Sequence, residues 1–271
     1  MAFCDIQSPG VIPEHWNSMS NHAAPGAITA RILFATYLRC YFVGAAFNTR
    51  GLQNVGLALA MEPGLTAIYR DPEERRKAWK RYTKIYNTHP LWTPFLVGVF
   101  LSLESRIARN QFPVAVLTQV KSTVVFTLSA VGDSFFGGSL TVLWALATAC
   151  LLTAGAPWAA LFLGSLLFLG LNAFKLVTFV LGYRQGFGAL NHIKRWDLIN
   201  WGRRIKVLNA ALLVILWTMV WPKGLDVLGW AGGVAVVAGL ALAVGRFRMN
   251  REVLAGLAIM AGLLFLWIQV S

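Results

Sequence analysis

The chain has 271 residues, 57% of them hydrophobic and 13% charged, with a formal net charge of +13. A soluble domain of this length has no interior for so much apolar surface, so the composition excludes an ordinary water-soluble enzyme and requires a polytopic helical membrane protein. The Lys and Arg residues sit beside apolar spans, where the positive-inside rule and contact with anionic lipids explain them, so nucleic-acid binding is not expected.

Residues 1–25 are polar and read as a mobile tail, lacking the basic start and apolar core of a signal peptide. Residues 26–47 mix apolar side chains with Arg31 and Arg39. That pattern predicts a helix lying along the interface or packed on a partner, not a span. Asn48, Thr49, Arg50, Gln53 and Asn54 then crowd into a few positions ahead of an apolar run and Pro63. Two readings stand: an interfacial loop or helix cap, or a polar lining that faces substrate or a partner subunit.

Asp71-Pro72-Glu73-Glu74 is a helix start, with Asp as the cap, Pro at the first helical position and acids in the first turn. Arg75, Arg76, Lys77, Lys80, Arg81 and Lys84 make the helix basic, amphipathic and cytoplasmic. Residues 85–103 are uncharged but carry Asn87, Thr88, His89, Pro90 and Pro94. An interrupted segment at membrane depth must face protein or a wet cavity. Glu104-Ser105-Arg106 is expected to return to solvent or headgroups, which makes the preceding segment re-entrant.

Residues 112–130 are again apolar, and Gly132-Asp133-Ser134 stands at the mouth of a charge-free run over 134–174. That run is long enough for two spans of about 20 residues, hairpinned at Gly155-Ala156-Pro157. Gly137 and Gly138 are expected to admit another backbone near Asp133. Asn172 and Lys175 should share one surface. Residues 182–206 form a second basic cytoplasmic segment. Spans at 207–221, 228–244 and 254–270 follow and place the C-terminus outside. Arg246, Arg248 and Arg251 mark the inside, and Trp217, Trp221 and Trp230 the outer belt. The expected organisation is a tail over 1–25 and one all-α membrane domain over 26–271, with broken or re-entrant helices and amphipathic cytoplasmic ones.

An intramembrane carboxylate is costly and marks function by default, which makes Asp133 a candidate acceptor for sugar hydroxyls. Asp133 and Ser134 equally suit the cap of a helix beginning at Phe135. His89 can bind a polyol, carry a proton or meet a backbone carbonyl. Cys4, Cys40 and Cys150 have neither metal spacing nor a disulfide framework. No nucleotide loop, metal cluster or nucleophilic triad is present in the sequence, and no cofactor is expected.

The motifs carry a resemblance. Asn48 with Arg50, Gln53 and Asn54 opens it, followed by Gly56, Met61 and Pro63. It continues through Asn87-Thr88-His89-Pro90, Gly98 and Glu104, then Gly132-Asp133-Ser134-Phe135-Phe136-Gly137-Gly138, and closes at Gly182-Tyr183-Arg184-Gln185-Gly186. In order and spacing the chain resembles the membrane subunit IID of the mannose/fructose/sorbose family of the bacterial phosphotransferase system, over a core of 26–188. The segment 189–271 adds the second cytoplasmic stretch and the last three spans.

The resemblance implies an inner-membrane permease subunit, not an enzyme by itself, working in a hetero-oligomer with a IIC subunit. Cytosolic IIA and IIB proteins would pass phosphate from HPr to an incoming hexose, the phosphorylated histidines lying on IIA and IIB. Asn48, Arg50, Gln53, Asn87, His89, Asp133 and Ser134 are the residues expected to touch substrate or line its route. The departures from the family pattern are Thr49 in place of an acid, Thr127 to Val131 before Gly132-Asp133, and Leu140-Thr141-Val142 after it. They leave open a divergent, non-transporting paralogue that docks a IIB-like protein as a scaffold or sensor.

Overall fold

The computed structural model describes residues 26–221 and 227–247, together with single helical positions at 252, 256 and 260. The expected tail at 1–25, the markers Arg248 and Arg251, nearly all of the last span and the side of the C-terminus lie outside the described residues. All regular structure among them is helical. The chain divides into two units, Met1–Leu212 and Leu213–Ser271.

The first unit begins with α1 (Ala30–Arg39), capped by the Thr29 hydroxyl, which accepts from Ile32 N–H at 3.4 Å. A 3-10 turn, Cys40–Ala46, continues it. Both lie on α2 (Asn54–Ile68). Arg39, one of the charges that argued against a span, pairs with Glu62 on α2 at 2.7 Å. Phe34, Leu38 and Phe42 leave an exposed apolar face.

Helix α3 (Pro72–Tyr82) starts as its sequence dictates: Asp71 accepts from Glu73 N–H at 3.2 Å and Glu74 N–H at 3.4 Å. Helix α4 (Thr93–Ile107) holds Pro94 in its first turn, where no backbone donor is lost. The prolines of this region therefore bound a helix instead of breaking one. At about 22 Å α4 is shorter than a bilayer core of about 30 Å, and it is buried by protein from Thr93 to Glu104.

Its main neighbour is α7 (Pro157–Gln185). The two cross at paired glycines. A Cβ on Gly98 would run into Phe179 O, and one on Gly182 would stand 2.5 Å from Phe95 O. This is small-residue packing of the membrane kind, in which backbones touch.

Glu104 corrects the sequence expectation. It does not return to solvent but is fully buried. It accepts from the hydroxyls of Tyr69 at 2.7 Å and Tyr82 at 2.8 Å and from Arg81 Nε at 3.0 Å. Lys121, also buried, donates to Arg81 O at 2.8 Å at the C-terminal end of α3, where a cation meets the unpaired carbonyls. The basic helix is thus clamped to α4 and to α5 (Val114–Gly132).

Helix α5 runs without a break through a π-helical segment, Asp133–Leu140, into α6 (Thr141–Thr153). Together they make one stretch of 40 residues, Val114–Thr153, long and apolar enough to cross a membrane. A second such stretch runs over Pro157–Val220. Gly155, at φ +76°, makes the expected hairpin between them. Along α7 Trp158, Leu161, Phe162, Phe168 and Leu169 are exposed, the surface of a membrane-embedded helix. A 3-10 turn, Gly186–Gly188, and α8 (Ala189–Arg195) lead into α9 (Leu198–Val220). In the second unit, α10 (Val227–Phe247) sets Gly233 against the rings of Trp217 and Trp221, whose centres lie 5.3 Å apart at a tilt of 36°.

Candidate functional site

The first polar motif is a turn built by its own side chains. Asn48 Oδ1 accepts from the N–H groups of Arg50 at 3.1 Å and Gly51 at 2.8 Å. Its Nδ2 donates to Asn54 Oδ1 at 2.9 Å. Asn48 and Leu52 exchange backbone hydrogen bonds of 2.9 Å, which holds Leu52 at φ +60°. Arg50 contributes its N–H to the turn, and the residue is exposed.

Gln53 joins this turn to the second motif. Its backbone N–H donates to Tyr86 O at 2.9 Å, and its side-chain Oε1 accepts from Thr88 N–H at 3.2 Å. Residues 48–54 and 83–88 are therefore one docked pair of loops. Asn87 lies half-buried in the second loop.

His89 links that pair to the long helix. Its ring stacks on Phe136 at 5.3 Å and 25°. A Cβ on Gly132 would fall 2.5 Å from His89 Cβ and 2.8 Å from the Trp92 ring, so only glycine allows this approach. His89 Nδ1 accepts from Leu91 N–H at 3.3 Å, which assigns the proton of the neutral ring to Nε2. Around it the Thr88 hydroxyl and Trp92 Nε1 are buried without a hydrogen-bond partner among the described residues. Such groups ordinarily meet a protein partner, water or ligand.

The helix-cap reading of Asp133 and Ser134 is overturned. Both lie inside a continuous helix, with Asp133 at φ −61°, ψ −42°, and both are exposed. Asp133 is therefore not a buried carboxylate within this chain. The local irregularity is the π-helical segment: Ser139 Oγ donates to Ser134 O at 3.0 Å and Thr141 Oγ1 to Phe136 O at 2.8 Å. Such segments concentrate at functional sites. The expected close approach at Gly137 is absent, since a Cβ there meets nothing within 4 Å, and Gly138 contacts only Asp133 O at 3.4 Å. Gly132 is the contact instead.

Asn172 and Lys175 do share a surface. Tyr41 O–H donates to Asn172 Oδ1 at 2.7 Å, and Lys175 Nζ stands 4.2 Å from the centre of the Tyr41 ring. Sequence reasoning missed Tyr41 and the aromatic core of Trp92, Phe136 and Phe174, whose ring centres lie 5.3–5.7 Å apart. The signal available was the Phe135-Phe136 pair directly after Gly132-Asp133-Ser134 and Trp92 directly after His89-Pro90-Leu91.

Electrostatics fix α3 more firmly than the loops. Burial opposes the Arg81 charge, but the hydrogen bonds and field of Glu104 outweigh it and hold the guanidinium above its ordinary value. Burial and the Glu104 carboxylate raise the Tyr82 phenol well above its usual range, and Tyr69 moves the same way.

Comparison with known proteins gives the family of the chain. Residues 27–220 match the family model described as PTS system mannose/fructose/sorbose family IID component. The Bacillus subtilis fructose permease IID component is 27% identical over 59% of this chain and 57% of its own length. The Escherichia coli K12 PTS system mannose-specific EIID component is 28% identical over 59% of this chain and 56% of its own length. The chain thus spans somewhat more than half the length of the curated relatives it matches. A solved structure titled "Structure of membrane protein" shares the fold at a TM-score of 0.71 and 19% identity, over 89% of this chain and 96% of that one. The family model covers the motifs gathered around His89 and Gly132, and the chain belongs to the mannose/fructose/sorbose family of PTS IID components.

Proposed function

We propose that this chain is a IID-type subunit of a hexose permease in a bacterial inner membrane, forming with a IIC subunit the route for sugar uptake. IIA and IIB phosphorylate the incoming sugar with phosphate from HPr, and the chain itself catalyses nothing. The observation that carries this reading is the convergence of the two polar motifs: Gln53 holds Thr88, and His89 lies on Gly132 next to Asp133. Asn48 and Gln53 shape the loops that carry Arg50, while His89 and Asp133, with the sequence neighbours Asn87 and Ser134, offer hydroxyl-binding groups. Donors and acceptors without a basic cradle suit a neutral polyol better than a phosphate.

The exposed face of α3, where Arg76 and Lys77 pair with Glu73 and Glu74 and Lys80 adds a further cation, supports docking of a IIB-type protein and contact with anionic lipid. The same face supports the second reading, a scaffold or sensor that docks IIB without transport. Reconstitution separates the two. The chain with its cognate IIC in vesicles, supplied with IIA, IIB, HPr, enzyme I and phosphoenolpyruvate, should take up and phosphorylate mannose, fructose or sorbose. A formed complex that moves none of them would favour the scaffold.

A further inference from the structure

The π-helical segment, α7, α8 and the start of α9 enclose an open groove of about 650 Å³. That is within the roughly 300–1,000 Å³ typical of small-molecule sites. Its floor is Phe135, Phe136, Gly170, Leu171 and Phe174, and among the described residues no carboxylate lines it. The mouth is different. Arg195 and Trp196 stand there, with Trp201, over whose ring the Arg204 guanidinium lies at 5.1 Å.

We propose that this groove is a binding site for one anionic phospholipid, an acyl chain on the aromatic floor and the headgroup at Arg195. Three observations argue for a lipid. The groove is apolar along its length and opens on an exposed face of a membrane helix. Among its described lining residues the one cation, Arg195, is next to Trp196, which is the arrangement of a headgroup boundary. Among the described lining residues no acid faces Arg195, and the nearby Asp197 accepts from Asn200 Nδ2 at 2.7 Å, so an anion is the complementary occupant. The floor also reaches the candidate site. Phe136 lies on the groove and stacks His89 at 5.3 Å, so a bound chain supports the ring that positions the imidazole.

Gly170 supplies the test. A Cβ there meets nothing within 4 Å, so Gly170→Leu branches into open space, narrows the groove and favours the helix. The purified full chain is delipidated and titrated with phosphatidylglycerol or phosphatidylcholine, and retained lipid is read by native mass spectrometry. The wild type should retain one phosphatidylglycerol in preference to phosphatidylcholine. Arg195→Gln should reduce that preference about fivefold, and Gly170→Leu should abolish retention of both lipids. Leu167→Trp repeats the blockade if Gly170→Leu fails to fold. Equal retention of the two lipids by the wild type overturns the proposal, as does undiminished retention in a folded groove-filling variant. A blocked variant that loses a co-purified membrane partner but keeps its lipid overturns it too, since the groove then holds a protein helix.

Discussion

The His89 ring owes its place to what is missing at residue 132. The Gly132 contact means that Gly132→Leu must push His89 and Trp92 aside. It should cost about 1–3 kcal/mol, the usual price of overpacking, and should abolish uptake; thermal unfolding in detergent and the vesicle assay check both. Two other glycines separate a packing role from mere helix composition. Gly98→Ala drives a methyl into the Phe179 carbonyl and should destabilise by a similar amount, whereas Gly137→Ala meets open space and should be neutral or stabilising by up to about 1 kcal/mol. Equal melting temperatures for the two variants would sink the account of the α4–α7 crossing. Gln53→Ala removes the acceptor from Thr88 N–H and should cost about 1–3 kcal/mol if the amide stays buried. Faster hydrogen exchange at Thr88 would report it.

At the scale of elements, the basic helix behaves as a docked part because Glu104 reaches it from α4. Glu104→Ala leaves Arg81 without its carboxylate and should destabilise by about 3–5 kcal/mol. Limited proteolysis within 72–84 should then become fast while α4 and α7 stay protected. The phenols add a pH dependence. Tyr82 titrates higher in the folded chain than the ordinary value of about 10, so above that pH the unfolded chain has lost a proton that the folded chain keeps. Stability is therefore full below pH ~10 and falls as pH rises toward the folded value. In Tyr82→Phe this alkaline decline should be shallower. An unchanged alkaline limb in thermal melts from pH 8 to about 11 would contradict the assignment.

At the scale of the whole molecule, the chain is a member of the IID family with an all-helical membrane fold, and the proposed permease role sets what it should do alone and with IIC. Its large apolar exposure on α1 and α7 is surface suited to a membrane. The purified chain alone should phosphorylate no sugar with phosphoenolpyruvate and the cytosolic proteins, and adding IIC should restore the reaction. Asp133→Asn and His89→Gln should lower uptake at least tenfold while leaving the amount of co-purified IIC unchanged. A loss of IIC instead would assign these residues to assembly, which the exposure of Asp133 on the chain surface also allows.

Much of this architecture was legible from residue order. Apolar windows mark the long helices, Asp71-Pro72 starts α3 and Gly155-Ala156-Pro157 turns the hairpin, because local backbone chemistry decides those features. The spaced motifs were also legible as a family signature. The environment of an isolated charge was not. Glu104 beside Ser105 and Arg106 reads as polar surface, and only α3 folding back over α4 buries it among two phenols and a guanidinium. Likewise Gly132-Asp133-Ser134 has the composition of a cap, yet helical dihedrals run straight through it. Sequence determined which segments are helical and apolar. Tertiary packing decided which glycines touch and which charges are paired, since both depend on surfaces brought together from distant parts of the chain.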